Sequence, residues 1–309
     1  MKAKIEIFDG YGQDGSIIFK AATTCYRSEE KTQRTAGDFI KMLKANGHMS
    51  MLEFSWFPVL MDFSSVVECN KQYNLILELK LKHIDFYKYG LFKIIMYGNG
   101  RAWLDFFNYE LDERYLHLLV HISKALNTVN SELFEEPFFN LKIKNIAECL
   151  NKDHYYKKIK YPVIEQWAAV KFSNVSRGFT HELVRHRTMS FAQASTRYID
   201  NSNFDCIMPD IDALYPDMTD EQKEKMLRIF AGVKNNLNLD YNYLLDHGIK
   251  KHDARQILPI GIANEICVAG TIKNWKHVFE LRCSPAAHWE IREVMVELQK
   301  EFKERGLLE

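Results

Sequence analysis

The chain has no surplus of either charge: Lys+Arg and Asp+Glu each number 41 among 309 residues, a formal net charge of zero. No global basic field is available to hold nucleic acid or an anionic membrane, and any polyanion site must be local. No apolar run reaches the roughly 18 residues that a membrane span requires. The opening MKAKIEIFDG lacks the apolar core of a secretory signal, so the cytoplasm is the expected location. None of the six cysteines (Cys25, Cys69, Cys149, Cys206, Cys267, Cys283) forms a C-x-x-C pair. That argues against a zinc ribbon or a disulfide scaffold, and the cysteines are expected to be buried small hydrophobes. No low-complexity linker divides the chain. What is present is a hydrophobic content of 47%, enough for one large domain or two small ones with a sizeable core, which excludes disorder.

Lys4-Ile5-Glu6-Ile7-Phe8 alternates like a strand, and Ser16-Ile17-Ile18-Phe19 follows a glycine-rich turn, so a hairpin is expected there. Apolar residues Phe39, Ile40, Met42 and Leu43, stopping at Asn46-Gly47, predict a helix over 35–45. Thr219, Asp220, Glu221 and Gln222 form a capping box, after which Met226, Ile229, Phe230, Val233 and Leu237 mark one helical face. Leu91 to Met96 reads as a strand and Leu116 to Leu126 as a helix. Strands and helices alternate without a regular βαβ rhythm, which favours α+β over a doubly wound sheet.

Two motifs invite chemistry that their context does not support. Gly10, Gly12 and Gly15 spell G-x-G-x-x-G, but a dinucleotide-binding turn must open a helix, and the residues that follow are β-branched. His181-Glu182-Leu183-Val184-Arg185-His186 resembles a zinc-protease helix with its second histidine one residue late. At about 100° per residue the two rings would stand roughly 140° apart, so they do not share a metal, and no metal site is expected.

Residues 181–198 read HELVRHRTMSFAQASTRY and gather Arg185, His186, Arg187 and Arg197 beside Ser190, Gln193, Ser195 and Tyr198. Arginines offer forked donors to phosphate, hydroxyls add short hydrogen bonds, and planar groups can stack on a base or a flavin. A solvated basic face is the bland alternative for a lone R-H-R. The hydroxyls and Arg197 shift the balance toward an anion site.

Arg185-His186-Arg187 followed by seven residues and Ser195 reproduces R-H-R-x7-S, and the chain thereby resembles the flavin-dependent thymidylate synthases. Further segments are similar to that family in the same order: Ala21 to Tyr26, His48-Met49-Ser50-Met51-Leu52-Glu53, Asp253-Ala254-Arg255-Gln256-Ile257-Leu258-Pro259, and Phe279-Glu280-Leu281-Arg282 with Ala287-His288-Trp289-Glu290-Ile291. The resemblance implies an α+β fold with a central sheet and flanking helices. It also implies a homotetramer with shared active sites that methylates dUMP at C5, using FAD, methylenetetrahydrofolate and NADPH. By matching positions, Glu182, Arg185, Gln193, Ser195, Arg197, Arg255 and Arg282 would bind the nucleotide. Ser50, Arg185, His186, Arg187, Gln193, Lys273 and His277 would face the flavin. Arg282 would be the catalytic residue, its guanidinium polarising the uracil ring; a salt bridge to a nearby carboxylate such as Glu290 is the structural alternative for it. Ser195 has no evident base partner and reads as a binding hydroxyl.

The chain departs from the family pattern in several places. Ala192 and Gln193 replace Asn and Glu, and Glu182 stands where Gln is common. A carboxylate there would repel a phosphate unless Arg185 or His181 neutralises it. The flavin-contacting N-x-R stretch appears as Thr271-Ile272-Lys273, while residues 98–107 resemble residues 270–279 and contain Asn99 and Arg101 in that pattern. Either Asn99 and Arg101 serve the flavin, or the likeness is a packing repeat with Trp103 and Trp275 as core; the second is preferred. About a hundred residues separate Glu53 from Val170, too many for a structureless loop. The expected domains are therefore residues 1–59 and 166–309 as two parts of a synthase-like domain, with 60–165 as an inserted α/β subdomain. Two other readings stay open: flavin-dependent modification of another pyrimidine nucleotide, and a non-catalytic nucleotide-binding homologue. A nucleic-acid module is disfavoured by the zero net charge.

Overall fold

The computed structural model describes residues 2–26, 34–108, 113–134 and 167–309. Cys149 and the part of the expected insertion from 135 to 165 lie outside the described residues. Along the chain, β1 (Lys4–Ile7) is followed by α1 (Ser16–Tyr26), α2 (Ala36–Ala45), β2 (Trp56–Asp62), α3 (Val66–Glu78), β3 (Ile84–Lys88), β4 (Lys93–Asn99), α4 (Gly100–Phe107) and α5 (Leu116–Val129). After these come β5 (Trp167–Ser176), α6 (Arg177–Leu183), β6 (Ser190–Gln193), α7 (Ile211–Leu214), α8 (Asp220–Asp246), α9 (Lys251–Ala254), β7 (Ala263–Thr271), α10 (Ile272–Arg282) and α11 (Trp289–Glu304). The fold is α+β: among the described residues every strand pairing is antiparallel, which a doubly wound parallel sheet does not allow. Among the described residues no helix is long and apolar enough to cross a membrane.

The chain forms two compact units, residues 1–8, 21–32 and 166–309 in the first, 9–20 and 33–165 in the second. In the first unit a four-stranded sheet runs in the order β1-β5-β7-β6. Alternate residues of β5 and β7, Val170, Phe172, Ile266 and Val268, are fully buried against Phe179 of α6, Trp275 and Phe279 of α10, and Ile291, Met295 and Phe302 of α11. Burying that many large apolar side chains, at about 1.5–3 kcal/mol each, makes this core the main stabiliser of the unit. In the second unit β2-β4-β3 form a three-stranded sheet, with buried Phe57, Ile94, Met96, Trp103 and Phe106.

The helix expected over 35–45 is α2, capped by the Thr35 hydroxyl, which accepts from the Asp38 N–H. The capping box opens α8 as expected, with Thr219 and Gln222 bonding reciprocally. Its apolar face, however, is not core: Ile229 is 56% and Val233 51% exposed. The helix docks through the fully buried Tyr241 and by polar contacts, with Lys234 on Asp205, Asn238 bonded to both the N–H and the carbonyl of Phe204, and Asn242 on the Ser202 carbonyl.

The expected hairpin at Ser16–Phe19 is wrong: that stretch is the first turn of α1. Ile17, Ile18, Ala21 and Ala22 are all buried, and this helical spacing of apolar groups outweighs the strand preference of two isoleucines. The stated objection to a dinucleotide turn therefore falls, since a helix does open after Gly15. The geometry speaks against that turn on other grounds. β1 pairs antiparallel with β5. The Asp14 carboxylate already accepts from the Ser16 N–H at 3.0 Å. Gly12, at φ +63°, is packed so that a Cβ would lie 2.8 Å from the Phe54 carbonyl. Its missing side chain is explained by packing.

Candidate functional site

The R-H-R segment begins where α6 ends. Ser176 caps α6 by accepting from the Phe179 N–H at 2.9 Å. Ser176 is itself held by the buried Glu290 of α11, which accepts from its N–H at 2.7 Å and from its hydroxyl at 2.5 Å. Burial pushes the Glu290 carboxyl up in pKa, and the two bonds from Ser176 pull the other way. Glu290 is therefore committed to α6 and is not the partner of Arg282.

Arg282, the last residue of α10, reaches back to the R-H-R segment. Its Nη1 donates to the Glu182 carboxylate at 2.8 Å, its Nη2 to the Glu182 carbonyl at 2.9 Å, and its Nε to His186 Nε2 at 3.0 Å. The cation that neutralises Glu182 is thus Arg282, and not the sequence neighbours Arg185 or His181 named above. His181, adjacent to Glu182 on the helix, points away from it, and the helix ends at Leu183 before Arg185, whereas the end of α10 is brought to Glu182 by tertiary packing.

His186 is 7% exposed, and its pKa is lowered to about 4, first by burial and then by the charges of Arg282 and His277. It is neutral at pH 7 and accepts at Nε2, so its proton sits on Nδ1. The His277 ring stands 6.0 Å away, edge-on. Between pH 6.5 and about 4 the unfolded chain binds a proton at His186 that the folded chain refuses. Stability therefore falls as pH drops through that window, by roughly 3 kcal/mol for a shift of this size. Urea unfolding at pH 7.5 and pH 4.5 should show this loss in the wild-type chain and much less of it in His186→Gln. Equal losses in both would refute the assignment.

Gln193, on β6, donates to the Thr180 hydroxyl of α6 at 2.7 Å. The Ser195 backbone N–H bonds the Cys25 carbonyl at 3.0 Å, and the Ser195 hydroxyl accepts from the Arg197 N–H. The Arg197 guanidinium lies 5.4 Å over the Tyr198 ring. Lys273 and His277 sit one turn apart on the exposed face of α10. Arg185 and Arg187 are exposed, and among the described residues neither has a carboxylate within ion-pair reach. Ser50 lies in a 3-10 turn, Met49–Glu53, of the second unit. Of the expected set, then, the fold brings Glu182, His186, His277 and Arg282 into one cluster within the first unit.

Arg177 is a residue that the sequence reading passed over. Its N–H bonds the Ile262 carbonyl at 3.1 Å and the Gly178 N–H bonds the Ile260 carbonyl at 3.1 Å, which ties the start of α6 to the stretch following Arg255. Burial and the charge of Arg255 both lower its pKa, burial being the larger cause. The only signal in sequence was its position, directly after the serine that caps the helix leading to R-H-R.

In residues 98–107 the side chains of the N-x-R pattern have partners within their own unit. Asn99 caps α4, accepting from the Ala102 N–H at 2.8 Å, and Arg101 pairs with Glu53 at 3.1 Å and Asp105 at 3.5 Å. Trp103 and Trp275 are both fully buried core, as expected of a packing repeat.

Comparison with known proteins agrees with the motifs. Residues 141–305 match the family model of the thymidylate synthase complementing protein. The chain is similar to a flavin-dependent thymidylate synthase of Corynebacterium glutamicum, 30% identical over 143 residues, covering 44% of this chain and 57% of that one. It is similar to another from Nitratidesulfovibrio vulgaris, 37% identical over 123 residues (39% and 49%), and to one from Pyrococcus furiosus, 34% over 134 residues (42% and 52%). The chain spans about half the length of these relatives. Since the family model matches more than half of the chain, and on the segment that holds R-H-R-x7-S and Arg282, the chain belongs to the thymidylate synthase complementing protein family, that of the flavin-dependent thymidylate synthases.

Proposed function

We propose that the chain is an FAD-dependent thymidylate synthase that methylates dUMP at C5, with methylenetetrahydrofolate as carbon donor and NADPH as reductant. The observation that carries this reading is the three-bond grip of Glu182 and His186 on Arg282, which joins the R-H-R segment to the distant F-x-L-R segment. The finer fold reading belongs with it: the four-stranded sheet and its helices as the synthase-like core. So does a cytoplasmic location.

The side chains fit the groups required. Arg185, Arg187 and Arg197 present exposed guanidiniums, and Arg177 stands with Arg255, a donor set suited to a nucleotide phosphate and a flavin diphosphate. FAD, when bound, supplies two-electron redox chemistry. The protein's own part is positional and electrostatic. Arg185, Ser195, Arg197 and Arg255 hold the nucleotide, with Glu182 and Gln193 completing its surroundings. His186, Arg187, Lys273 and His277 face the flavin. Arg282 keeps two Nη hydrogens for the ligand after its bonds to Glu182 and His186, and it stabilises negative charge on the pyrimidine as C5 becomes nucleophilic. His186, neutral at working pH, accepts from Arg282 without adding a repelling charge. The exposed apolar stripe of α8 supports self-association, a homotetramer in this reading.

An anaerobic spectrum of the purified protein tests the assignment. Bound flavin should bleach on adding NADPH and recover on adding dUMP with methylenetetrahydrofolate, with dTMP formed. Protein that stays colourless after reconstitution with FAD would refute it.

A further inference from the structure

Apart from β1 and from α7–α9, which lie between β6 and β7, the strands of the first unit correspond to those of the second. Three antiparallel strands run β2-β4-β3 in one and β5-β7-β6 in the other, with a helix after the first strand and two after the middle strand of the sheet. The register agrees pair for pair. Trp56 faces Asn99 as Trp167 faces Thr271, and Phe57 faces Gly98 as Ala168 faces Gly270. The match continues to Asp62 with Lys93 and Ser173 with Glu265. The outer strands stay in step: Asp85 faces Tyr97 as Ser190 faces Ala269, and Phe86 faces Met96 as Phe191 faces Val268.

Side-chain details that no antiparallel sheet requires recur at the same places. Ser65 caps α3 through the Glu68 N–H and Ser176 caps α6 through the Phe179 N–H, each serine equally far along from Trp56 or Trp167. Asn99 caps α4 and Thr271 caps α10, each through the N–H three residues on. The Trp103 indole donates to the Phe57 carbonyl at 2.8 Å, the Trp275 indole to the Ala168 carbonyl at 3.1 Å. The glycines opposite those carbonyls are crowded alike. A Cβ at Gly98 would lie 2.9 Å from Ile84, and one at Gly270 would overlap Met189, the residues just before the matched Asp85 and Ser190.

The chemistry does not recur. Counting from the serine caps, the places of Arg177, Glu182, Arg185, His186 and Arg187 are held by Val66, Lys71, Asn74, Leu75 and Ile76. There α3 continues as helix with Leu75 and Ile76 buried. The counterpart of Gln193 is Lys88, which donates to Asn70 at 2.6 Å. The counterpart of Lys273 is Arg101, engaged by Glu53 and Asp105.

We propose that the chain is an internal duplication, in which residues 56–129 are a second copy of the fold of residues 167–304, emptied of its anion site, so that each chain holds one nucleotide site. The segment expected as an insertion is on this view a repeat of the segment that follows it. The duplication stands on the paired registers, caps and indole bonds without the function proposed above; the single nucleotide site rests also on that function.

Calorimetric titration of the intact protein with dUMP tests the site count. One equivalent per chain is expected, abolished in Arg185→Ala and unchanged within about twofold in Lys71→Ala and Asn74→Ala, since an exposed side chain that makes no contact with a ligand contributes little. Two equivalents per chain, or loss of binding in Lys71→Ala or Asn74→Ala alone, would overturn it. An experimental structure tests the duplication separately: β2-α3-β3-β4-α4 should overlay β5-α6-β6-β7-α10 with Trp103 on Trp275 and Ser65 on Ser176. Units that cannot be overlaid overturn the duplication. A chain whose units overlay but which binds no dUMP refutes the proposed function and the single nucleotide site while leaving the duplication intact.

Discussion

Replacing Arg282 with alanine is expected to lower dUMP turnover by about two to three orders of magnitude, the usual loss when a preorganised donor at developing negative charge is removed. The guanidinium is fixed at Nε, Nη1 and Nη2 by His186 and Glu182, so its orientation costs nothing at the moment of reaction. Arg282→Lys keeps the charge but not the planar fork, and should recover no more than about a tenth of the wild-type rate. The fold should survive both changes, because Arg282 lies at a helix end and Glu182, left behind, is one-third exposed. Steady-state kinetics with circular dichroism checks this. A kcat within threefold of wild type for Arg282→Ala would remove Arg282 from the catalytic role.

Glu290→Ala should cost about 3 kcal/mol of stability, since it deletes two charge-assisted bonds and leaves the buried Ser176 N–H without its acceptor. The damage is not confined to α11: Ser176 caps the helix that carries Arg177 and Glu182, and a cap is worth about 1 kcal/mol. Glu290→Gln should recover most of the loss, because an amide oxygen still accepts from the N–H and burial already disfavours the charge. The sign of the pH effect follows from the raised pKa. The folded state binds this proton more tightly than the unfolded state, so the contribution of Glu290 weakens as pH rises through the ordinary carboxylate range. Urea midpoints for the two variants decide the matter, and an alanine variant within about 0.5 kcal/mol of wild type, the range of an ordinary surface change, would show that the cap does not depend on Glu290.

Some elements were legible because the signal is local. The capping box of α8, the Asn-Gly stop of α2 and the alternation of β1 each depend on residues within one or two turns. Where long-range burial competes with local preference, local reading fails, as at α1, where buried isoleucines sit in a helix. Arg282 does pair with a carboxylate, but which one depends on long-range packing for a related reason. Glu290 was near in sequence, but its carboxylate faces into the sheet at Ser176, while Glu182, a hundred residues earlier, lies under the guanidinium.

What the sequence determined by itself was the family: R-H-R-x7-S, D-A-R and F-x-L-R name it whatever the packing, and with it the groups proposed to bind anions. Only the tertiary structure decided which of those groups meet, that His186 is neutral, that Arg177 stands with Arg255, and that one register of strands, caps and buried tryptophans occurs twice. The reason is physical. Residue type sets what a group can donate or accept, but distance, burial and the pairing of strands set whether it does, and none of these is a property of neighbouring positions in the chain.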